Sequence, residues 1–157
     1  MQTYCIILAA GNSKRFSNKN DKLFSNIHGS PLIFFTLTNI LKVFKKNEIF
    51  IVVNKNLSRK NQILLKSFTN NKLIYGGSTR FQSLKKAIKY FTEDSNILIH
   101  DGARPNIDKE LIKKIKREIE KRNVYSVIPY THIRDSLKYR KLNKFLSVQR
   151  SRFINTQ

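Results

Sequence analysis

The sequence has one cysteine, few acidic residues and no long apolar run, and each of these shortages excludes a class of protein. Cys5 has no second cysteine to pair with, so the 157-residue chain cannot form an intrachain disulfide. No cysteine and histidine cluster has the spacing of a zinc site. No stretch approaches the roughly 20 apolar residues that a membrane span needs. We therefore expect no disulfide, no structural zinc and no transmembrane segment.

The N-terminal segment also lacks the basic start, long apolar run and small-residue cleavage site of a signal peptide. Ala9 and Ala10 are followed directly by a polar loop. Cys5 lies in a predicted buried strand, where a cysteine usually serves as a small core residue. We expect the protein to be cytoplasmic.

Acidic residues are scarce: the chain has 10 Asp and Glu against 31 Lys and Arg, a formal charge of +21. Such an excess favours anionic partners. The basic residues run through every segment, and the sequence has neither an aromatic RNA-binding pattern nor a basic heptad region. We therefore expect no specific nucleic-acid partner, although weak nonspecific binding at low salt fits the charge.

Short apolar segments alternate with helix-like segments, and the length fits one domain over 1–157. This alternation is typical of an α/β fold with three layers, a mostly parallel sheet and helices on both faces. Ser58, Ser78 and Asp108 stand where helix N-caps are expected. A β-hairpin arm is predicted near the C-terminus, around 141–144. The predicted strands cover 4–9, 48–53, 72–76, 96–100 and 124–129, and the predicted helices cover 31–44, 57–68, 78–91 and 108–122. The core face of the third helix is expected to contain Phe81, Leu84, Ala87, Ile88 and Phe91.

Three glycine-rich or polar loops follow predicted strands. They are Ala-Ala-Gly at 9–11, the glycine pair at 76–77 and the segment at 100–104. In open parallel sheets, ligands bind outside the carboxyl ends of the strands. The sequence therefore predicts that the three loops meet at one edge of the sheet and form a binding site.

The first loop combines small residues with two cations seven positions apart. Ala9, Ala10 and Gly11 leave little side-chain bulk, so backbone N–H groups can approach a ligand closely. Arg15 can grip phosphate oxygens with two N–H groups, and Lys22 supplies a mobile point charge. The loop is neither a Walker loop nor a dinucleotide fingerprint, because the further glycines are absent. We interpret it as a triphosphate loop, with a solvated basic loop as the alternative.

The other two loops offer a cation and a carboxylate. Arg80 and Ser83 lie three apart near a helix N-terminus, which attracts anions. A capped strand-to-helix turn is the alternative there. Asp101, at the end of an apolar strand, could hold a divalent metal or a ribose hydroxyl, and Arg104 could hold an anion nearby. An Asx-turn closed by Pro105 is the alternative.

Taken in this order, the motifs resemble the 2-C-methyl-D-erythritol 4-phosphate cytidylyltransferase family, within the sugar-nucleotide pyrophosphorylase-like nucleotidyltransferases. The resemblance covers essentially the whole chain, and HDGARP with GGSTRFQS is its most specific pair. The matching segments are LAAGNSKR, DK, GGSTRFQSL, HDGARP, IRDSLK and VQRSRFINTQ. The resemblance implies a Rossmann-like nucleotidyltransferase fold, a homodimer and transfer of CMP from CTP to methylerythritol 4-phosphate. It also implies Mg²⁺ as cofactor and a place in the non-mevalonate isoprenoid route.

The same resemblance implies a role for each matching residue. Arg15 and Lys22 would be catalytic and would stabilise the transition state. Asp101 would contact the ribose or the metal. Arg104, Ser136 and Arg150 would position the methylerythritol phosphate, partly across a dimer interface formed by a hairpin arm at 132–150. The implied nucleotide-binding residues are Ala9, Ala10, Gly11, Gly77, Arg80, Ser83 and Asp101.

Two alternatives remain open at this point. The first is a cytidylyltransferase for another polyol or sugar phosphate, such as ribitol 5-phosphate, because the same nucleotide motifs would serve it. The second is an inactive nucleotide-binding or nucleic-acid-binding fragment. The sequence reaches INTQ where the family continues into further strands and helices, so we expect the chain to lack the family's C-terminal part.

Overall fold

The computed structural model of the protein describes residues 1–11 and 22–156. Four of the strands within these ranges form one sheet, and the other six form three antiparallel pairs. The strands are β1 (Thr3–Ala9), β2 (Asn26–Ile27), β3 (Ser30–Pro31), β4 (Ile49–Val53), β5 (Ile74–Tyr75), β6 (Asn96–Asp101), β7 (Tyr130–His132), β8 (Leu137–Lys141), β9 (Lys144–Val148) and β10 (Ile154–Thr156). The α-helices are α1 (Leu32–Leu41), α2 (Arg59–Lys66), α3 (Arg80–Ile88) and α4 (Lys109–Ile119).

The four-stranded sheet has the order β5-β4-β1-β6, and all of its strands are parallel. The register places Ala9 opposite Val53 of β4. It also places Leu8 opposite Asp101 of β6, and Val53 opposite Tyr75 of β5. Because the strands point the same way, the loops that follow them all start at one edge of the sheet. This is the edge at which the sequence predicts the binding site.

Alternate residues of β1 face two separate hydrophobic clusters, which confirms the prediction of helices on both faces. The larger cluster lies between the sheet and α1, α2 and α4, and the smaller one lies between the sheet and α3. The larger cluster contains Cys5, Ile7 and Ala9 with Ile33, Leu37, Ile40, Leu65 and Ile112. The smaller cluster contains Ile6, Ala10, Val52, Ile74 and Ala87. Each helix therefore contributes an apolar face to a three-layer α/β core.

Two of the three predicted helix caps are confirmed. The Ser58 side chain accepts a hydrogen bond from the backbone N–H of Asn61, and Asp108 caps α4 in the same way. The prediction of Ser78 as a cap is wrong, because α3 begins one residue later with Thr79 at the N-cap. The extended backbone of Thr79 lets its hydroxyl oxygen accept from the backbone N–H of Gln82, the third residue of the helix.

The predicted strand over 124–129 is wrong. These residues form no strand, and the extended segment begins only at β7, which pairs with β10. Tyr125 is 94% exposed and Ile128 is 63% exposed, so the apolar run has no core to face. Pro129 has no N–H to give to a ladder. Strand propensity without a neighbouring strand and a buried face does not suffice here.

The predicted hairpin near the C-terminus is confirmed. β8 and β9 pair antiparallel from Leu137 opposite Val148 to Lys141 opposite Lys144, and residues 142–143 form the turn. Leu142 occupies the turn with a positive φ of 53° and is 87% exposed. None of the described helices is long and apolar enough to cross a membrane.

Cys5 provides a reporter of global unfolding. Its side chain is fully buried, and burial raises the pKa of its thiol far above the ordinary value. Because the thiolate is the reactive form, we expect native protein to react with a disulfide reagent only when the core opens. Labelling should therefore be slow in buffer and fast in denaturant. Rapid labelling of native protein would contradict the burial of β1.

Candidate active site

The loops that follow β1, β5 and β6 pack against one another at the carboxyl edge of the sheet. A Cβ placed on Gly76 would lie 2.5 Å from the Cβ of Ala10 and 2.7 Å from Oγ of Ser83. A Cβ placed on Gly102 would lie 3.4 Å from the Cβ of Ala9. Small residues are thus needed in all three loops so that the loops can approach each other. The sequence interpretation assigned their smallness to ligand approach alone.

Ser83 of α3 hydrogen-bonds to the glycine loop at 76–77. Its side chain is buried, its Oγ accepts from the N–H of Gly77 at 3.1 Å, and it donates to the carbonyl of Thr79 at 2.9 Å. The hydroxyl is therefore fully engaged in fixing the turn between β5 and α3. The geometry gives Ser83 a positioning role toward Gly77, and direct contacts of either residue with a nucleotide stay a prediction.

The outer side of the same loop is basic. Gln82 Oε1 accepts from the N–H and the hydroxyl of Ser78, and the ammonium of Lys86 donates to the carbonyl of Gly76 at 2.9 Å. A cavity of about 530 Å³ opens beside these groups, and none of the described residues in its lining carries a carboxylate. The lining residues are Asn54, Lys55, Asn56, Gly76, Gly77, Ser78, Gln82, Lys85, Lys86 and Lys89. Four ammonium groups around one opening suit a ligand with negative charge.

Asp101 joins two arginines from different elements. Its Oδ1 lies 3.1 Å from Nε of Arg80, at the start of α3, and its Oδ2 lies 3.2 Å from Nε of Arg104. Because the carboxylate bonds side chains instead of its own backbone, the alternative of an Asx-turn is not supported. Each guanidinium has five N–H donors, and the contacts with Asp101 use the Nε donor of each. The three side chains carry a net single positive charge and form the best-defined ionic cluster at this edge.

The two candidate catalytic cations differ in how far the structure describes them. Arg15 lies outside the described residues. Lys22 opens a short 3₁₀ turn, Lys22–Phe24, which is anchored by the buried side chain of Leu23 in the larger core cluster. Because this turn is anchored, the backbone from which the half-buried Lys22 side chain extends is held in place.

Arg150 and Ser136 lie in the arm segment at 132–150. Arg150 donates from Nη1 to the carbonyl of Arg134 at 2.6 Å, and Ser136 is exposed. Among the residues that the structure describes, neither side chain hydrogen-bonds to the Asp101 cluster. Arg150 also lines a cavity of about 430 Å³ with His132, Ile133, Arg134 and Ser151. Among the described residues, Arg104 is thus the one residue predicted to position the substrate that forms an ion pair or hydrogen bond with the Asp101 cluster.

Three polar residues that the sequence interpretation missed bond the loop that carries Arg104. They are Thr36 and Asn39 of α1 and His100 of β6, each bonded to a loop carbonyl. Burial lowers the pKa of His100, which favours the neutral ring. The one available signal was a threonine on the apolar stripe of α1, between Ile33 and Ile40, where a polar group needs a partner.

The described residues contain no group of three or more His, Cys, Asp or Glu side chains that could hold a metal ion. Magnesium is usually bound through one or two carboxylates together with substrate phosphates. Asp101 is such a carboxylate, but both of its oxygens already face guanidinium groups. The site therefore fits a magnesium ion that arrives bound to phosphate oxygens better than one held by the protein alone.

Comparison with known proteins matches residues 3–153 to the family model "IspD: 2-C-methyl-D-erythritol 4-phosphate cytidylyltransferase". The "Bifunctional enzyme IspD/IspF" of Pelagibacter ubique is 37% identical over 153 residues, which cover 96% of this chain and 40% of that protein. The 2-C-methyl-D-erythritol 4-phosphate cytidylyltransferase of Thermosipho melanesiensis is 36% identical over 78% of this chain and 55% of that protein. The crystal structure of 4-diphosphocytidyl-2C-methyl-D-erythritol synthase from Anaerococcus prevotii superposes with a TM-score of 0.77 at 25% identity. That superposition covers 99% of this chain and 68% of the other.

The chain spans 40% and 55% of the lengths of these two curated relatives. The matched family region includes the three loops at the carboxyl edge of the sheet and the whole of the β8–β9 hairpin. The chain belongs to the 2-C-methyl-D-erythritol 4-phosphate cytidylyltransferase family.

Proposed function

We propose that the protein transfers CMP from CTP to 2-C-methyl-D-erythritol 4-phosphate and releases pyrophosphate, in isoprenoid precursor synthesis. The observation that carries this proposal is the ionic cluster of Asp101, Arg80 and Arg104 at the carboxyl edge of the sheet, in a chain of this family. Exposed guanidinium groups beside a glycine loop are suited to two phosphate-bearing substrates. We also propose a cytoplasmic location, which fractionation of cells that express the tagged chain tests.

The proposed reaction is an in-line displacement. An oxygen of the substrate phosphate attacks the α-phosphorus of CTP, and the bond to the departing pyrophosphate breaks. The incoming phosphate is already a nucleophile, so the protein needs no covalent intermediate. Its contribution is alignment of the two phosphates and neutralisation of the charge that builds in the transition state. In this scheme Arg104 receives the substrate phosphate, and Arg15 and Lys22 neutralise the triphosphate.

We propose Mg²⁺ as the cofactor, carried by the phosphates of CTP and approached by Asp101. When bound, the ion offsets phosphate charge. Asp101→Asn separates this role from that of an anchor for arginines. If the carboxylate binds the metal, the Mg²⁺ concentration at half-maximal rate should rise about tenfold or more. If it only orders the arginines, the KM for the alcohol phosphate should rise while the Mg²⁺ requirement stays unchanged.

We further propose that the protein works as a homodimer through the β8–β9 hairpin. Tyr139, Leu142 and Phe145 of this hairpin are more than half exposed, and a second copy of the chain would cover them. Phe145→Glu together with Leu142→Asp should then shift a dimer to a monomer in analytical ultracentrifugation. An unchanged sedimentation coefficient would place any dimer contact elsewhere.

Turnover assays with two alcohol phosphates test the reaction. Methylerythritol 4-phosphate should be converted with CTP, whereas ribitol 5-phosphate should be a poor substrate. A preference for ribitol 5-phosphate would support the cytidylyltransferase of another polyol. Binding of single-stranded RNA at physiological salt without binding of CTP would support the inactive fragment.

A further inference from the structure

The loop that joins Asp101 to Arg104 and Pro105 is bonded by side chains at three of its carbonyl groups. Thr36 donates from Oγ1 to the carbonyl of Gly102 at 2.9 Å, and both groups are buried. Asn39 donates from Nδ2 to the carbonyl of Pro105 at 3.0 Å. These two donors lie one turn apart on α1, about 66 residues before the loop in sequence.

The third donor comes from the strand that precedes the loop. Nε2 of His100 lies 2.9 Å from the carbonyl of Arg104. Because a carbonyl only accepts hydrogen bonds, Nε2 carries the proton. The amide orientation of Asn39 is fixed independently, since its Oδ1 accepts from the ammonium of Lys42 at 2.8 Å. Each donor in this set therefore has one chemically consistent assignment.

The backbone of the loop is bonded as well. The N–H of Gly102 donates to the carbonyl of Leu8 at 2.9 Å, and the N–H of Arg104 donates to that of Asp101 at 3.1 Å. Ala103 packs against the larger hydrophobic cluster. A loop with this many fixed groups has little conformational freedom, although the arginine it carries is 58% exposed.

We propose that Thr36, Asn39 and His100 are positioning residues, which hold the loop at 102–105 and thereby aim Arg104, paired with Asp101, at the substrate phosphate. A guanidinium on a rigid loop loses less conformational entropy when it binds an anion than one on a mobile loop. A small displacement of a phosphate-aligning group can also slow a transfer strongly. The part of this inference that concerns substrate rests on the proposed function.

The first test measures the loop directly and needs no activity. Amide hydrogen exchange of Gly102 and Arg104 is compared in wild type, Thr36→Val and Thr36→Ser. We expect Thr36→Val to accelerate exchange of these two amides about tenfold, because the buried carbonyl loses its donor. Thr36→Ser, which keeps a hydroxyl, should restore most of the protection.

Thr69→Val is the matched control. Thr69 is also buried and donates from Oγ1 to the carbonyl of Ile49, at the opposite end of the sheet. The control should lower global stability to a similar degree, as read from labelling of Cys5, without accelerating exchange at 102 and 104. Equal acceleration in both variants, or none in Thr36→Val, would overturn the proposal. If Thr36→Val does not fold, Asn39→Ala tests the same point at a half-buried position.

The second test uses turnover with CTP and methylerythritol 4-phosphate. His100→Leu removes the donor, and His100→Gln keeps an amide N–H at a similar reach. We expect His100→Leu to raise the KM for the alcohol phosphate about tenfold with a small change in the KM for CTP, and His100→Gln to recover most of the loss. If no variant and no wild-type protein turns over, the proposed function fails, and the exchange result still decides the role of the three residues.

Discussion

Replacing Lys22 with alanine is expected to lower turnover about 10²- to 10³-fold and to leave CTP affinity nearly unchanged. The ammonium would act on charge that develops when pyrophosphate departs, and this charge is larger in the transition state than in bound CTP. Steady-state assays at saturating CTP measure turnover, and equilibrium titration of CTP in the presence of Mg²⁺ measures CTP affinity. Arg15→Ala is expected to behave in the same way.

Lys46→Ala is the control for this experiment. Lys46 is exposed near the start of β4, at the end of the sheet opposite to the candidate site, so its removal changes the net charge equally without touching the site. It should have little effect on turnover. If Lys22→Ala weakens CTP binding as much as it lowers turnover, Lys22 binds the ground state and is not selective for the transition state.

Gly76→Ala is expected to destabilise the fold by about 1–3 kcal/mol, because the new methyl group would overlap two buried neighbours. Its Cβ would lie 2.5 Å from the Cβ of Ala10 and 2.7 Å from Oγ of Ser83, and both neighbours are buried. The backbone at Gly76 does not require glycine, since its φ is not in the left-handed region. Thermal unfolding should show the loss as a Tm lower by roughly 2–4 °C for each kcal/mol.

Gly11→Ala is the matched control, because a Cβ at that position meets no atom of the described residues within 4 Å. It should change Tm by less than about 1–2 °C, within the range of ordinary surface substitutions. Adding Ala10→Gly to Gly76→Ala removes one of the two close contacts and should recover part of the loss. Equal unfolding temperatures for Gly76→Ala and Gly11→Ala would show that the loops do not pack as closely as described.

The layered fold could be predicted because its signal is local. Each strand of the parallel sheet is a short apolar run, and each helix has a cap or an apolar stripe that can be identified in the sequence. Two predictions failed where the answer depended on neighbours. Phe81 and Ile88 were placed on the core face of α3, yet they are 73% and 45% exposed, because they lie in its first turn and at its last residue. The strand predicted over 124–129 has an apolar composition but no adjacent strand.

The ionic residues of the candidate site could be predicted from the sequence, but the side chains that hydrogen-bond to their loops could not. An aspartate at a strand end and an arginine three residues later are visible in the sequence, and the sheet rule places them beside Arg80. The bonds from Thr36 and Asn39 join positions 66 residues apart, so the local pattern marks Thr36 as a polar group that needs a partner but does not identify the partner. The engaged hydroxyl of Ser83 likewise depends on the exact turn that follows β5.

The sharing of one carboxylate by two arginines has a thermodynamic consequence. Arg80 and Arg104 belong to different substrate subsites in the proposed reaction, and Asp101 is the group they have in common. An anion that draws one guanidinium away leaves the carboxylate to the other and so alters the second guanidinium's affinity for its own anion. Linkage requires this influence to be mutual and equal in free energy. The affinities of the two arginines for their phosphates are therefore coupled through a single side chain.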